Sequence, residues 1–158
     1  MRDFSERPSH VPWPPIVAVT AIAVGVVLGA VWPLGWPKGA AADILQGVGL
    51  ILIFVALGIV YLALRAMRNA KTTVRPHAGA SRLVTTGPFA LSRNPLYLST
   101  AIFIVGIGLA TGNAWLLIGA ILTAIADHHL AIKGEEAHLE HRFGKAWREY
   151  KKRVRRWI

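Results

Sequence analysis

The sequence predicts an all-α, polytopic membrane protein with about four transmembrane helices in two hairpins. Hydrophobic residues make up 54% of the 158 residues and charged residues only 16%, whereas about a quarter of a soluble domain is charged. The apolar residues are gathered into long blocks, and the basic residues lie between those blocks. Mean hydropathy is +0.45. The length fits a single membrane domain.

The first apolar block, residues 16–32, contains 17 residues and no charge. A helix of this length covers about 26 Å, which is just enough to cross the hydrocarbon core of a bilayer. A cleaved signal peptide is the alternative. The block is longer than the apolar part of such peptides, however, and the sequence around Trp32 and Pro33 offers no small-residue cleavage site. An uncleaved span is therefore predicted.

Three further spans are predicted. Residues 44–64 form the second, which ends at the basic residues that begin with Arg65. Residues 96–111 and 114–131 form the third and fourth, and the turn around Gly112 between them is short enough only for a hairpin. Both are shorter than the second span, so they either tilt little or continue as helix into the cytoplasm.

Two polar segments complete the chain. Residues 72–95 form a loop broken by proline and glycine, which is called the central loop below. In residues 132–158, apolar side chains recur at three- and four-residue steps among charges, which is typical of an amphipathic helix. These apolar positions are Leu139, Phe143, Trp147, Tyr150 and Val154.

The distribution of Lys and Arg predicts the topology. Two lie before the first span, one in the first loop, six from Arg65 to Arg93, none in the second hairpin turn and nine from Lys133 onward. Both termini and the central loop are therefore expected in the cytoplasm, with the protein in a bacterial inner membrane. The net charge of +10 is then explained by contact with anionic membrane lipids, so no nucleic-acid partner is expected.

The sequence gives little support for a metal site or for cysteine chemistry. The sequence contains no Cys, which excludes disulfides, thiolate ligands and a cysteine nucleophile. Glu135 and His138 share one helical face, as in carboxylate metal sites. Such a site needs a second pair of this kind, which the sequence lacks, so no metal is predicted.

Two features could carry chemistry. Asn94-Pro95 precedes the third span, and the free amide groups at such a helix start attract anionic ligand groups. Glu135 and Glu136 directly follow a span, where adjacent carboxylates are costly unless they pair with cations or bind a ligand. The candidate structural partners for the glutamates are Arg82, Arg93 and Arg153.

Several motifs then appear in order: Leu-Val-Thr-Thr-Gly-Pro-Phe, Ser-Arg-Asn-Pro-Leu-Tyr-Leu-Ser, Glu-Glu, Phe-Gly, Trp-Arg-Glu-Tyr and Arg-Val-Arg-Arg-Trp-Ile. Together, over roughly residues 72–158, the chain resembles the isoprenylcysteine carboxyl methyltransferase and phospholipid methyltransferase superfamily of integral membrane enzymes. The resemblance implies methyl transfer from S-adenosylmethionine, bound between the central loop and the C-terminal segment, to a lipophilic small molecule or lipid.

The resemblance also implies which residues bind the cofactor. The family's Arg-His-Pro-x-Tyr motif corresponds to Arg93, Asn94, Pro95 and Tyr97, and its cofactor-contacting glutamate is either Glu135 or Glu136. The implied cofactor-binding set is Ser81, Arg82, Leu83, Val84, Phe89, Asn94, Pro95, Leu96, Tyr97, Glu135 and Glu136.

The chain departs from the family pattern at two positions. Asn94 replaces the commoner His, which keeps hydrogen bonding but removes a titrating imidazole. Where the carboxyl methyltransferases hold a substrate carboxylate with Arg, the nearest cation here is Lys133, with Arg153 in reserve as the second candidate catalytic residue. Because Lys lacks the bidentate fork of Arg, a prenylcysteine carboxylate is not the expected acceptor.

A non-enzymatic function is the alternative: a small membrane scaffold or lipid-binding protein whose basic tail holds anionic lipid. The acceptor itself is open among a lipid amine, an isoprenoid-bearing acid, a thiol and other small amphiphiles. Gly25 and Gly29 have the spacing of close helix packing, within the chain or between protomers. Oligomeric state is therefore not predicted.

Overall fold

The structure, a computed structural model, describes residues 12–71 and 82–158, and it confirms the all-α fold class. A 3₁₀ turn lies within the central loop, a π-helical segment joins the last two α-helices into one continuous helix, and the described residues contain no strand. The elements are α1 (Trp13–Val31), α2 (Ala40–Asn69), the 3₁₀ turn (Gly87–Ala90), α3 (Pro95–Thr111), α4 (Ala114–Asp127), the π-helical segment (His128–Ile132) and α5 (Lys133–Arg153).

Three of the described helices are long and apolar enough to cross a membrane: α1, α2 and the continuous helix that starts at Ala114. Helix α3 is equally apolar but has 17 residues. Large apolar side chains cover the outer surfaces, as at Val27, Phe54 and Ile121, which are all more than half exposed. Such a surface suits lipid rather than water as the solvent, so the chain is an integral membrane protein.

Helix α2 packs against α3 through two glycines. A Cβ atom added to Gly49 would lie 2.4 Å from the backbone nitrogen of Ala110 and 2.6 Å from the carbonyl oxygen of Gly106. A Cβ added to Gly106 would in turn lie 3.0 Å from the carbonyl oxygen of Gly49. The two backbones therefore touch, which is how small residues let membrane helices approach each other.

Helix α1 packs mainly against α4, through Gly25 and Gly29. Gly25 faces Leu116, and Gly29 faces Asn113, so this pair packs within the chain. The Asn113 side chain caps α4 by accepting a hydrogen bond from the backbone N–H of Trp115 at 3.0 Å, and it donates to the carbonyl of Gly25 at 2.9 Å. The helices thus lie in the order α1, α4, α3, α2.

The C-terminal part of the fold returns to the central loop. Helix α5 is interrupted at Gly144, whose φ of +48° lies in the left-handed region that favours glycine. The helix ends at Arg153, and Val154 adopts an extended conformation. Trp157 then packs against a buried cluster formed by Tyr97, Ala131 and Ile132. Residues 154–158, called the tail below, therefore lie against the start of α3 and the π-helical segment.

Candidate functional site

Hydrogen bonds join the tail to the end of the central loop. The backbone N–H of Arg93 donates to the carbonyl of Arg155 at 3.0 Å. The carbonyl of Arg156 accepts from the Ser92 hydroxyl at 3.2 Å and from the Asn94 side-chain amide at 3.1 Å. Both of these donor side chains are buried. Asn94 therefore holds the tail, a contact that the expected cofactor role did not anticipate.

An ion-pair network closes this junction. The Arg156 guanidinium binds both carboxylate oxygens of Glu136, with Nη2 to Oε2 at 2.6 Å and Nε to Oε1 at 3.0 Å. Arg93 Nη1 lies 3.3 Å from Glu136 Oε1. The exposed fractions of the side chains are 10% for Glu136, 7% for Arg93 and 31% for Arg156. Arg93, Glu136 and Arg156 are called the arginine clasp below.

The clasp gives Glu136 one of its expected partners and one unexpected partner. Arg93 is confirmed as a partner of Glu136. Arg153, by contrast, is exposed at the end of α5, and Arg156 pairs with Glu136 in its place. Sequence reasoning missed Arg156 because it lies in a run of basic residues that ends the chain. No spacing in that run marks which guanidinium turns inward.

Glu135 has a different environment from its neighbour. Its Oε1 accepts a hydrogen bond from the Tyr97 hydroxyl at 2.7 Å, which ties the start of α3 to the start of α5. Burial raises the pKa of Glu135 to about 7, the hydrogen bond from Tyr97 opposes this rise, and the negative charges of Asp127 and Glu136 add to it. Glu135 is therefore a carboxyl group whose charge changes near neutral pH.

Aromatic residues of α5 lie beneath the clasp. The Arg93 guanidinium is 5.6 Å from the ring centroid of Trp147, which is buried, in a cation–π arrangement. Tyr150 is buried next to Trp147, and its hydroxyl donates to the carbonyl of Phe89 at 2.6 Å. Burial raises the pKa of Tyr150 to about 12, so the hydroxyl stays a donor at neutral pH. This hydrogen bond from Tyr150 thus fixes the backbone of Phe89.

The remaining predicted cofactor residues lie along the central loop and at the start of α3. Ser81 falls outside the described residues. Arg82 is exposed, Leu83 is partly buried and Val84 is buried. Pro95 begins α3 and is buried, as expected for a proline in the first helical turn, and Leu96 is partly buried.

The two candidate catalytic cations lie at the surface. Lys133 is exposed, with Nζ 3.5 Å from Nδ1 of His129. Arg153 is also exposed. The cations inside the site are instead Arg93 and Arg156.

The site has free hydrogen-bonding capacity for a ligand. Buried Nε of Arg93 and buried Nε1 of Trp147 have no hydrogen-bond partner among residues 12–71 and 82–158. Two such donors suit a carboxylate, and the Glu135 carboxylate suits an ammonium or hydroxyl group. In the described part of the chain, no three or more His, Asp or Glu side chains are grouped to hold a metal ion.

Part of the chain is similar to known proteins. The family model described as phospholipid methyltransferase matches residues 45–146, well over half of the chain. An uncharacterised protein from Haemophilus influenzae is 35% identical over 63 residues, which are the whole of that protein and 40% of this chain. No solved structure matches.

Proposed function

Since the chain belongs to the phospholipid methyltransferase family, we propose that it transfers a methyl group from S-adenosylmethionine to a lipophilic or amphiphilic acceptor at the cytoplasmic membrane face. One observation carries the proposal. The Tyr97–Glu135 hydrogen bond and the arginine clasp bring the central loop, α3, α5 and the tail together into one polar site at the end of an apolar bundle.

The donor set of this site fits the cofactor. S-adenosylmethionine carries a carboxylate, an ammonium group, ribose hydroxyls and an adenine ring. We assign the carboxylate to the Arg93 Nε and Trp147 Nε1 donors. The ammonium or hydroxyl groups are assigned to Glu135, because arginines already bind both oxygens of Glu136. Leu83, Val84 and Phe89 supply apolar side chains for the adenine ring.

Methyl transfer requires little acid–base catalysis from the protein. When bound, S-adenosylmethionine supplies an electrophilic methyl group on a sulfonium sulfur. Arg93, Glu135 and Trp147 would hold the cofactor so that an acceptor could take this methyl group, the electron pair of the broken carbon–sulfur bond being left on sulfur. The chain therefore contributes mainly by aligning the acceptor and by excluding water, which together can account for several kcal/mol of the barrier, on the order of 10 at most.

The two reactants have separate routes to this site. The basic residues around it support a location at the cytoplasmic face by the positive-inside rule, and a charged cofactor is available there. A lipophilic acceptor reaches the same depth along the apolar surfaces of the spanning helices. Lys133 and Arg153, which are exposed, are candidates to meet an anionic group of the acceptor at the surface.

Calorimetric titration of S-adenosylmethionine into the detergent-solubilised protein tests the proposal. Saturable binding is expected, and Glu135→Gln should weaken it about tenfold or more, because a hydrogen bond to a charged group contributes about 1.5–3 kcal/mol. Tyr97→Phe should weaken it less. The matched control is Glu140→Gln, which changes an exposed glutamate on the same helix and should bind like wild type.

The same titration separates the enzyme from a scaffold. A basic tail that only holds lipid would bind anionic vesicles equally well in wild type and in Glu135→Gln, with no binding of S-adenosylmethionine. Absence of cofactor binding to folded wild type, in nanodiscs as well as in detergent, would reject the methyltransferase proposal.

A further inference from the structure

The two arginines of the clasp hold Glu136 unequally. Arg156 makes hydrogen bonds to both carboxylate oxygens, at 2.6 and 3.0 Å. Arg93 Nη1 lies 3.3 Å from Oε1, which is an ion pair without hydrogen-bond geometry. Neither Nε nor Nη1 of Arg93, both buried, has a hydrogen-bond partner among residues 12–71 and 82–158. The carboxylate is therefore directed at Arg156, and these donors of Arg93 are left for another acceptor.

The charges of the clasp do not cancel. Two guanidinium groups, both permanently charged, share one carboxylate, so one positive charge is left over. Because Arg156 binds both oxygens of Glu136, the excess charge resides mainly on the buried guanidinium of Arg93. A buried charge is costly unless an opposite charge pairs with it. Without Arg156, Glu136 could turn fully toward Arg93, and the clasp would become neutral.

Buried side chains at the end of the central loop fix the backbone of Arg156. The Ser92 hydroxyl and the Asn94 amide both donate to its carbonyl oxygen, at 3.2 and 3.1 Å. The Ser92 hydroxyl also accepts a hydrogen bond from the backbone N–H of Asn94 at 3.1 Å. The backbone N–H of Arg93, which lies between these two residues, donates to the carbonyl of Arg155. The same short segment therefore holds the tail and carries the guanidinium that the tail leaves unpaired.

We propose that Arg156 is a positioning residue that selects a ligand bearing a carboxylate. Arg156 occupies both oxygens of Glu136 and thereby leaves Arg93 to bind the carboxylate of S-adenosylmethionine. Ser92 and Asn94 act through Arg156, because they hold its backbone and not the ligand. This inference deepens the proposed function and rests on it for the identity of the ligand.

Calorimetric titration of the full chain in nanodiscs with S-adenosylmethionine and with its decarboxylated form tests this inference. The two ligands differ only in the carboxylate, so the ratio of their affinities reports on the group that binds it. Wild type should prefer S-adenosylmethionine about tenfold or more, as expected for hydrogen bonds to a charged group. Arg156→Gln should remove most of this preference without weakening the decarboxylated ligand. Equal loss of affinity for both ligands would indicate a structural role and would overturn the inference.

Arg155→Gln is the matched control. It removes the same charge one residue earlier in the tail, its side chain is exposed, and the carbonyl that accepts from Arg93 remains. This variant should keep the wild-type preference for the carboxylate. A loss of preference as large as that of Arg156→Gln would mean that any cation of the tail has this effect, which would overturn the assignment to Arg156.

A double variant tests the charge balance directly. Combining Glu136→Gln with Arg156→Gln again leaves one positive charge at Arg93, so the preference lost in Arg156→Gln should return. A structural role predicts the opposite, since the double variant removes both members of the ion pair. No recovery in the folded double variant would overturn the inference.

Asn94→Ala tests the same device without changing any charge. Loss of one of the two hydrogen bonds to the Arg156 carbonyl should reduce the preference for the carboxylate about threefold. An unchanged preference would overturn the role of Asn94. Wild type that binds both ligands equally would overturn the inference while the proposed function stands. Folded wild type that binds neither ligand would reject the proposed function and this inference with it.

Discussion

The apolar bundle and the arginine clasp are held together by opposite means. In the bundle, α2 and α3 touch through Gly49 and Gly106, without any charged contact between them. In the clasp, the same chain buries a glutamate between two guanidinium groups. Packing of small residues is insensitive to pH and salt, whereas a buried ion pair depends on every member being present.

The bundle therefore stabilises the fold, whereas the proposed chemistry takes place next to the clasp. The bundle needs only complementary shape, so its side chains are interchangeable within the limits of volume. The clasp needs specified charges, and Tyr97, Glu135 and Trp147 lie next to it. Mutations in the two regions should therefore differ in kind as well as in size.

The largest effect is expected from Glu136→Gln. Removing this carboxylate leaves Arg93 buried without its ion pair, and the loss of stability should be about 3 kcal/mol, the lower end for a buried pair because Arg156 is about a third exposed. The unfolding midpoint in detergent measures it. Glu140→Gln, which removes an exposed pair with Lys151, should change stability by about 0.5 kcal/mol at most. Equal effects of the two changes would mean that the clasp does not stabilise the fold.

Gly49→Ala is the corresponding change in the bundle. The added methyl group meets backbone atoms of α3 at 2.4 and 2.6 Å, so the helices must separate, at a cost of about 2 kcal/mol. Gly47→Ala, two residues away on α2, meets nothing within 4 Å and should stabilise the helix by up to about 1 kcal/mol. Reversible unfolding in SDS compares them, and similar stabilities would show that α2 and α3 are not in close contact.

The bundle was predictable from sequence to a degree that the clasp was not. Apolar blocks indicate helices because every backbone polar group in lipid must be bonded within its own segment. The break at Asn94-Pro95 marked the start of α3 for a similar local reason. Both are properties of neighbouring residues in the chain.

The site depends on contacts between residues far apart in the chain, which explains what was missed. Tyr97 and Glu135 were both predicted, but nothing in the sequence indicated that they bond to each other. Asp127 ends an apolar block, where a charge is normally exposed at the membrane boundary, and only the packing of α4 shows that it is buried. Arg156 belongs to a run of basic residues, and the extended backbone at Val154 determines which arginine of that run faces inward.

The pH dependence of cofactor binding is a further test of the difference between the charged site and the apolar bundle. The pKa of Glu135 is about 7, so its ionised fraction rises about tenfold between about pH 6 and about pH 8. Because the ionised carboxylate is the proposed binding form, affinity for S-adenosylmethionine should rise with pH by up to about tenfold. The ratio of wild-type to Glu135→Gln affinity at each pH removes the ligand's own titration. A ratio that stays constant across this range would contradict the role of Glu135.

The smallest effect is expected from Tyr150→Phe, which tests whether α5 holds the central loop by a neutral contact as well as by charge. The buried hydroxyl donates to the carbonyl of Phe89 at 2.6 Å, and its removal should cost about 1 kcal/mol. Tyr61→Phe, which removes the hydroxyl of an exposed tyrosine on α2, should leave stability unchanged. Because Phe89 belongs to the proposed cofactor pocket, Tyr150→Phe should also weaken S-adenosylmethionine binding severalfold, as measured by calorimetry. Lost stability with unchanged cofactor affinity would place Phe89 outside the pocket.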